Sequence, residues 1–275
     1  MQLRKFLHRG VFAEIALVTI VLGACSHSLQ PRASTSGEHV STASPMRVSM
    51  NSRMTTTPVP ILMYHYVEPH DDAKEPHAAG LFVSPDIFEE QLQWIVAHGY
   101  QTIDLDTYLQ LRSHAINEPK KPVILTFDDG YADAFQNALP ILQKYHLRGV
   151  FYIVSGFLGK PGYLTDNQVI ALRDAGMMIA GHTVSHVDLR SLSAKELRHQ
   201  LEGSRKELET FIGAPVIHFA YPSGRYNQRV IDMVAMFEYK TAVTTHHGIA
   251  GTRDPLFQLP RVRMTKTTNL AALLP

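Results

Sequence analysis

The chain has 275 residues, 45% of them hydrophobic and 19% charged, with a formal net charge of +1. Such a length holds one full-sized α/β barrel, the balance is that of an ordinary globular domain, and the near-zero charge offers no footprint for nucleic acid. Cys25 is the sole cysteine, so no disulfide can form within one chain and a packed core has to hold the fold.

In chain order, the first feature is a basic opening, Arg4, Lys5 and Arg9, followed by an apolar run from Ile15 to Ala24. Small residues then precede Cys25. This is the pattern of a secretory signal peptide over residues 1–24, and the run is short for a transmembrane helix. Glu14 beside the run is its one irregularity. Leu22-Gly23-Ala24-Cys25 resembles the bacterial lipobox, which makes Cys25 the lipid-modified first residue of the mature chain. Cleavage removes three cations and Glu14, taking the net charge from +1 to −1. Residues 25–57, rich in Ser, Thr and Pro without apolar periodicity, are expected to form a flexible tether. The expectations are export, a lipid anchor in a membrane of the cell envelope (facing periplasm or cell surface, with Ser26 after the cysteine suiting an outer membrane), and a folded domain over 58–275.

From Pro58 strands and helices alternate. Val59 to Tyr64 predicts a strand. Ser84-Pro85-Asp86 opens a helix with Phe88, Leu92 and Ile95 on one face, closed by His98-Gly99. Trp94 on that helix is expected to pack. The polar stretch from His70 to His77 predicts a surface loop. Val123 to Phe127 predicts a buried strand, then a helix over Ala132 to Tyr145, a strand over Gly149 to Val154 and a helix over Asp166 to Ala175. A strand over Met177 to Ala180 precedes a long helix over Ser193 to Ile212, with Leu197, Leu201, Leu208 and Phe211 on one side. Ile217 to Tyr221, a helix over Gln228 to Phe237 and a strand over Tyr239 to Thr244 complete the series. Repeated strand–helix units predict a parallel sheet. The polar motifs fall just past strand ends, which favours a β/α barrel with its site at the C-terminal mouth over an open sheet.

Two motifs carry chemistry. Asp128-Asp129-Gly130 ends an apolar strand, where adjacent acids are costly unless paired or bound to a cation. Standing alone, it reads as a cap and a solvated turn. His182-Thr183-Val184-Ser185-His186 places two imidazoles four residues apart, on one face if the segment is helical. Two imidazoles and a carboxylate suit zinc, cobalt, nickel or iron, and three protein ligands leave room for water and substrate.

Together, Thr126-Phe127-Asp128-Asp129-Gly130 and the His182–His186 motif resemble the first two motifs of the polysaccharide deacetylases, carbohydrate esterase family four, over about Pro60 to Met264. The resemblance implies a distorted (β/α) barrel. It implies Asp128 as general base, and Asp129, His182 and His186 as ligands of a divalent metal, zinc first, with cobalt or nickel as alternatives. Phe219 to Gly224 is similar to the third motif, whose tyrosine, here Tyr221, supplies an oxyanion N–H from its backbone. Two departures stand out. The arginine that opens the third motif is missing, and Arg261 is the favoured substitute, with Arg225 as the alternative. The late Leu-x-His motif is missing too. His65 resembles the acid histidine of the branch acting on poly-β-1,6-N-acetylglucosamine and is favoured over His246 and His247, which are expected in a loop. The implied activity is removal of N-acetyl groups from an N-acetylglucosamine-containing polysaccharide: an exopolysaccharide, a chitin-like polymer or a peptidoglycan glycan. A monomer is expected. The alternatives are O-acetyl ester hydrolysis on xylan or a similar polysaccharide, and a non-catalytic glycan-binding lipoprotein.

Overall fold

The structure, a computed structural model, describes residues 58–71, 80–117 and 119–274. The signal peptide, Cys25, the tether and most of the polar loop after His70 lie outside the described residues. Eight parallel strands are β1 (Ile61–Tyr64), β2 (Gln101–Thr102), β3 (Pro122–Phe127), β4 (Val150–Ile153), β5 (Met178–Gly181), β6 (His218–Ala220), β7 (Thr241–His247) and β8 (Leu259–Arg263). Their order is β1-β8-β7-β6-β5-β4-β3-β2, and β1 also pairs with β3. Seven strands therefore close into a β/α barrel, with β2 outside it on β3.

The helices are α1 (Pro85–Ala97), α2 (Leu105–Arg112), α3 (Leu139–Lys144), α4 (Asp166–Asp174), α5 (Ala194–Arg198), α6 (Ser204–Ile212), α7 (Gln228–Met236) and a final turn, α8 (Leu270–Leu273). Their apolar faces pack on outward residues such as Leu125, Phe127, Phe151, Phe219 and Val262. A second cluster fills the barrel: Ile61, Ile124, Val150, Ala180, Val243 and Leu259 meet Leu105, Tyr108 and Leu111 of α2. α2 thus closes one end of the barrel from below, and chemistry is left to the other.

Three expectations are corrected. The helix expected from Ala132 begins with a π-helical turn, Ala134–Ala138, before α3. The long helix from Ser193 is α5 and α6 joined through a second π-helical turn, His199–Gly203. The wider turn rotates everything after it, so Ile212 is buried in place of Phe211. His246 and His247 are not in a loop; they end β7 as exposed residues. The sequence reading also passed over β2, α2 and β8. The first is two residues long, and Leu259-Pro260-Arg261-Val262-Arg263 carries a proline and two charges, which argue against a central strand.

Candidate active site

Strand alternation decides which side chains enter the barrel. On β3, Val123, Leu125 and Phe127 face the helices, while Ile124 faces inward. Thr126 and Asp128 continue that inward row. On β1 the same parity runs Ile61, Met63, His65, and on β8 it runs Leu259, Arg261, Arg263. An apolar floor therefore gives way to a polar layer as the strands reach the mouth.

Arg261 is fully buried. Its two terminal nitrogens donate to Asp128 Oδ1 and Oδ2 at 2.7 Å each, and Nε donates to the Thr244 carbonyl at 2.8 Å. A fourth donation reaches Thr126 Oγ1 at 3.1 Å. Burial pushes the Asp128 carboxyl up, but the Arg261 charge and hydrogen bonds outweigh it, so its pKa lies below the ordinary value. Arg225, the other candidate, instead faces Asp188 at 3.5 Å on the exposed side.

Asp129 points elsewhere because the chain turns sharply. Asp129 and Gly130 both have left-handed backbone, φ 73° and 77°, a conformation unusual for a non-glycine residue and often found at functional sites. Asp129 Oδ1 lies 3.2 Å from His182 Nε2 and 3.3 Å from His186 Nε2. The two histidines do not share a helix face, as their spacing suggested. They lie on a turn in which Thr183 and His186 are left-handed, φ 68° and 52°, and the Thr183 hydroxyl accepts from the His186 N–H. Gly156 supports this turn: its N–H donates to the Val184 carbonyl, and a Cβ there would sit 2.5 Å from that oxygen. His114, His146 and Glu238 also have positive φ, but each follows a helix end; Asp129, Thr183, His186 and Ser223 surround the mouth.

The trio fits a cation. One ligand atom from each of Asp129, His182 and His186 lies within 4.8 Å of the others. His182 Nδ1 sits 2.7 Å from the Ala220 carbonyl, which only accepts, so Nδ1 carries the proton and Nε2 offers its lone pair to the centre. Asp129 Oδ1 is buried without a hydrogen-bond donor although two imidazoles converge on it. Such an orphaned acceptor calls for positive charge, and one divalent ion among the three atoms would supply it.

His65 Nε2 is 3.9 Å from Asp128 Oδ2. Burial lowers the His65 pKa, partly offset by Asp128 and Asp129. The peptide two residues on is clamped. Val67 N–H donates to Asp133 Oδ2 at 2.5 Å, and Asn137 donates to the Val67 carbonyl at 2.8 Å. Burial raises the Asp133 pKa from 3.8 to about 6. A raised acid stabilises the fold below its unfolded pKa and loses that contribution as pH rises through the folded value. Asp133→Asn should therefore become more stable relative to wild type between pH 4 and 6, by up to about 3 kcal/mol at about 1.4 kcal/mol per pKa unit. Denaturant unfolding across that range checks this; a difference that does not vary with pH removes the assignment.

Tyr221 is placed less simply. Its side chain is buried in the outer layer, stacked on Tyr226 at 4.7 Å, so only its backbone can serve the mouth. Its N–H donates to the Val243 carbonyl at 3.3 Å, a long bond. An oxyanion there would have to share that hydrogen. Sequence reasoning missed an aromatic wall beside the trio, because its rings come from separate segments. Tyr66 is stacked between Phe82 and Tyr131, at 4.1 and 3.7 Å, and Tyr163 continues the row. Tyr66, Tyr131 and Tyr163 line a 370 Å³ cleft with Glu68 and Gln136.

A closed parallel barrel whose mouth holds an Asp–His–His cluster beside an arginine-held carboxylate defines the class. Comparison with known proteins gives the family. The polysaccharide deacetylase family model matches residues 115–242. The Streptococcus pyogenes deacetylase PplD, solved in complex with acetate, superposes with a TM-score of 0.76 at 33% identity, covering 80% of this chain and all of that one. YxkH of Bacillus subtilis (strain 168) is 28% identical over 207 residues, 75% of this chain and 71% of YxkH. The poly-β-1,6-N-acetyl-D-glucosamine N-deacetylase of Staphylococcus aureus (strain MSSA476) is 31% identical over 81 residues, 30% of this chain and 28% of that protein. The chain belongs to the polysaccharide deacetylase family, and is a hydrolase of that family.

Proposed function

We propose that this chain removes N-acetyl groups from a β-linked N-acetylglucosamine polysaccharide outside the cytoplasm, as a monomer with zinc held by Asp129, His182 and His186. The observation that carries the reading is Asp128: a carboxylate kept off the trio, held by Arg261, directly beside a metal ligand. Zinc is preferred over cobalt or nickel because two imidazoles and one carboxylate with open positions are its usual catalytic set. The ion, when bound, polarises the acetyl carbonyl and acidifies a water. Asp128 takes the water's proton, and Arg261, holding both oxygens, fixes the plane of the carboxylate. The Tyr221 N–H, shared with the Val243 carbonyl, adds a donor for the oxyanion. His65 Nε2 hands a proton to the departing amine; burial keeps the ring neutral at rest, and the proton it passes on is the one Asp128 took up. The tyrosine-lined cleft receives the glycan. The name of the Staphylococcus aureus relative supports N-acetylglucosamine as the sugar. The lipobox-like Cys25 and the tether over residues 26–57 support a membrane-anchored enzyme of the cell envelope.

The test is acetate release from N-acetylglucosamine oligomers linked 1,4 or 1,6, beside acetylated xylan. A chelator should abolish release from the N-acetylated oligomers, and zinc should restore it. Release from xylan alone would replace the amide reading with an ester one. No metal-dependent release from any substrate would leave the glycan-binding alternative. His182→Ala should lose zinc in a direct metal titration.

A further inference from the structure

Arg263 has no role in the reaction proposed above. It lies two residues beyond Arg261 on β8 and so shares its inward face, one step nearer the mouth. Its register partner across the pair is Met63, and His65 follows two residues later on β1. The side chain is half-buried, yet among the described residues it makes no hydrogen bond or ion pair. Burial disfavours its charge while Asp128 and Asp129 favour it, which places it within electrostatic reach of both. Neither acid is free to pair with it. Asp128 takes the Arg261 fork, and Asp129 faces the two imidazoles.

A guanidinium remains charged at any working pH and presents its donors as a planar fork. Half-desolvated and without a counter-ion among the described residues, it is costly unless something else supplies the acceptors. Arg261 holds a carboxylate bidentately one step below, so the barrel already uses this chemistry.

We propose that Arg263 is a carboxylate-binding residue at the mouth, which makes the site selective for acidic ligands. Two sources share that chemistry. One is a carboxylate on a sugar next to the acetamido sugar of the glycan; the other is the acetate released. The inference rests on the glycan-deacetylase reading.

The experiment compares wild type, Arg263→Lys and Arg263→Gln on a neutral N-acetylglucosamine oligomer and on one of equal length carrying a carboxylate beside the acetamido sugar. Acetate inhibition is measured in parallel. If the glycan is the source, Arg263→Gln lowers kcat/KM on the acidic oligomer about tenfold more than on the neutral one. Arg263→Lys, with the charge but not the fork, falls between. If acetate is the source, Arg263→Gln raises the acetate inhibition constant about tenfold and leaves the ratio of the two glycans unchanged. Equal loss on both glycans with unaltered acetate inhibition overturns the proposal. Calorimetric binding of the acidic, already deacetylated oligomer to the zinc-loaded protein involves no hydrolysis. Arg263-dependent binding without any acetate release would sink the hydrolytic reading and keep this one. Release without a contribution of Arg263 to carboxylate recognition would do the reverse.

Discussion

Asp128→Asn is expected to lower acetate release by about a thousandfold, within the range for loss of a general base, while zinc stays bound. The asparagine oxygen can accept from Arg261, but its amide nitrogen faces the second guanidinium nitrogen, donor against donor, and no proton can be taken from water. The trio is untouched, because Asp129 reaches it through its own left-handed turn. Acetate assays and metal content, measured on the same preparation, separate the two functions. Asp129→Asn should lose both together. An Asp128→Asn enzyme with wild-type turnover would remove the base assignment.

Arg261→Met should cost more in stability than any other single change at the mouth. It leaves a carboxylate with 4% of its surface exposed and no cation hydrogen-bonded to it. Breaking a buried pair from one side costs about 3–5 kcal/mol, against a total stability of about 5–15 kcal/mol for a typical domain. The surviving enzyme should also need a higher pH. Without Arg261 the burial effect dominates, the Asp128 pKa rises, and the ionised base appears only at higher pH. Replacing both partners, Asp128→Leu with Arg261→Met, should recover much of the stability and none of the activity. Denaturant unfolding and a pH–rate profile test these points. A single variant within about 1 kcal/mol of wild type, against about 3–5 kcal/mol for a broken buried pair, would show that the pair does not stabilise the mouth.

These two residues mark how far the sequence could be read. The barrel was legible because alternating apolar strands and helices repeat at regular spacing. The metal trio was legible because Asp129, His182 and His186 fall in compact motifs. The pairing of Arg261 with Asp128 links residues 133 positions apart. The missing third-motif arginine points to Arg261 as a substitute, but the β8 sequence, with its proline and two charges, does not announce a strand. The same holds for shape within motifs. The His182–His186 spacing suggests a helix, but Thr183 and His186 adopt left-handed backbone, uncommon for a non-glycine residue and an outlier for a β-branched one. The π-helical turns are equally silent, since one extra residue per turn leaves the composition unchanged. The aromatic wall was out of reach because Tyr66, Phe82, Tyr131 and Tyr163 become neighbours only after closure.

His65 and Arg261 both fall outside residues 115–242, where the family model matches, whereas Asp128, Asp129, His182, His186 and Tyr221 fall inside it. The proposed acid and the arginine that holds Asp128 thus both lie on strands flanking the matched segment.

Closure of the barrel through β1 gives that arrangement a temporal meaning. β1 must join both β3 and β8, and roughly 200 residues of chain separate β1 from β8. During synthesis β1 emerges first and waits for the strand that completes its second edge. Without β8 the barrel has an open seam, and Asp128 lacks the guanidinium that lowers its pKa. On the proposed mechanism, a chain truncated before β8 is expected to release no acetate even with Asp129, His182 and His186 in place. Acetate release should therefore require the sealed seam, and so serve as a readout of completed folding.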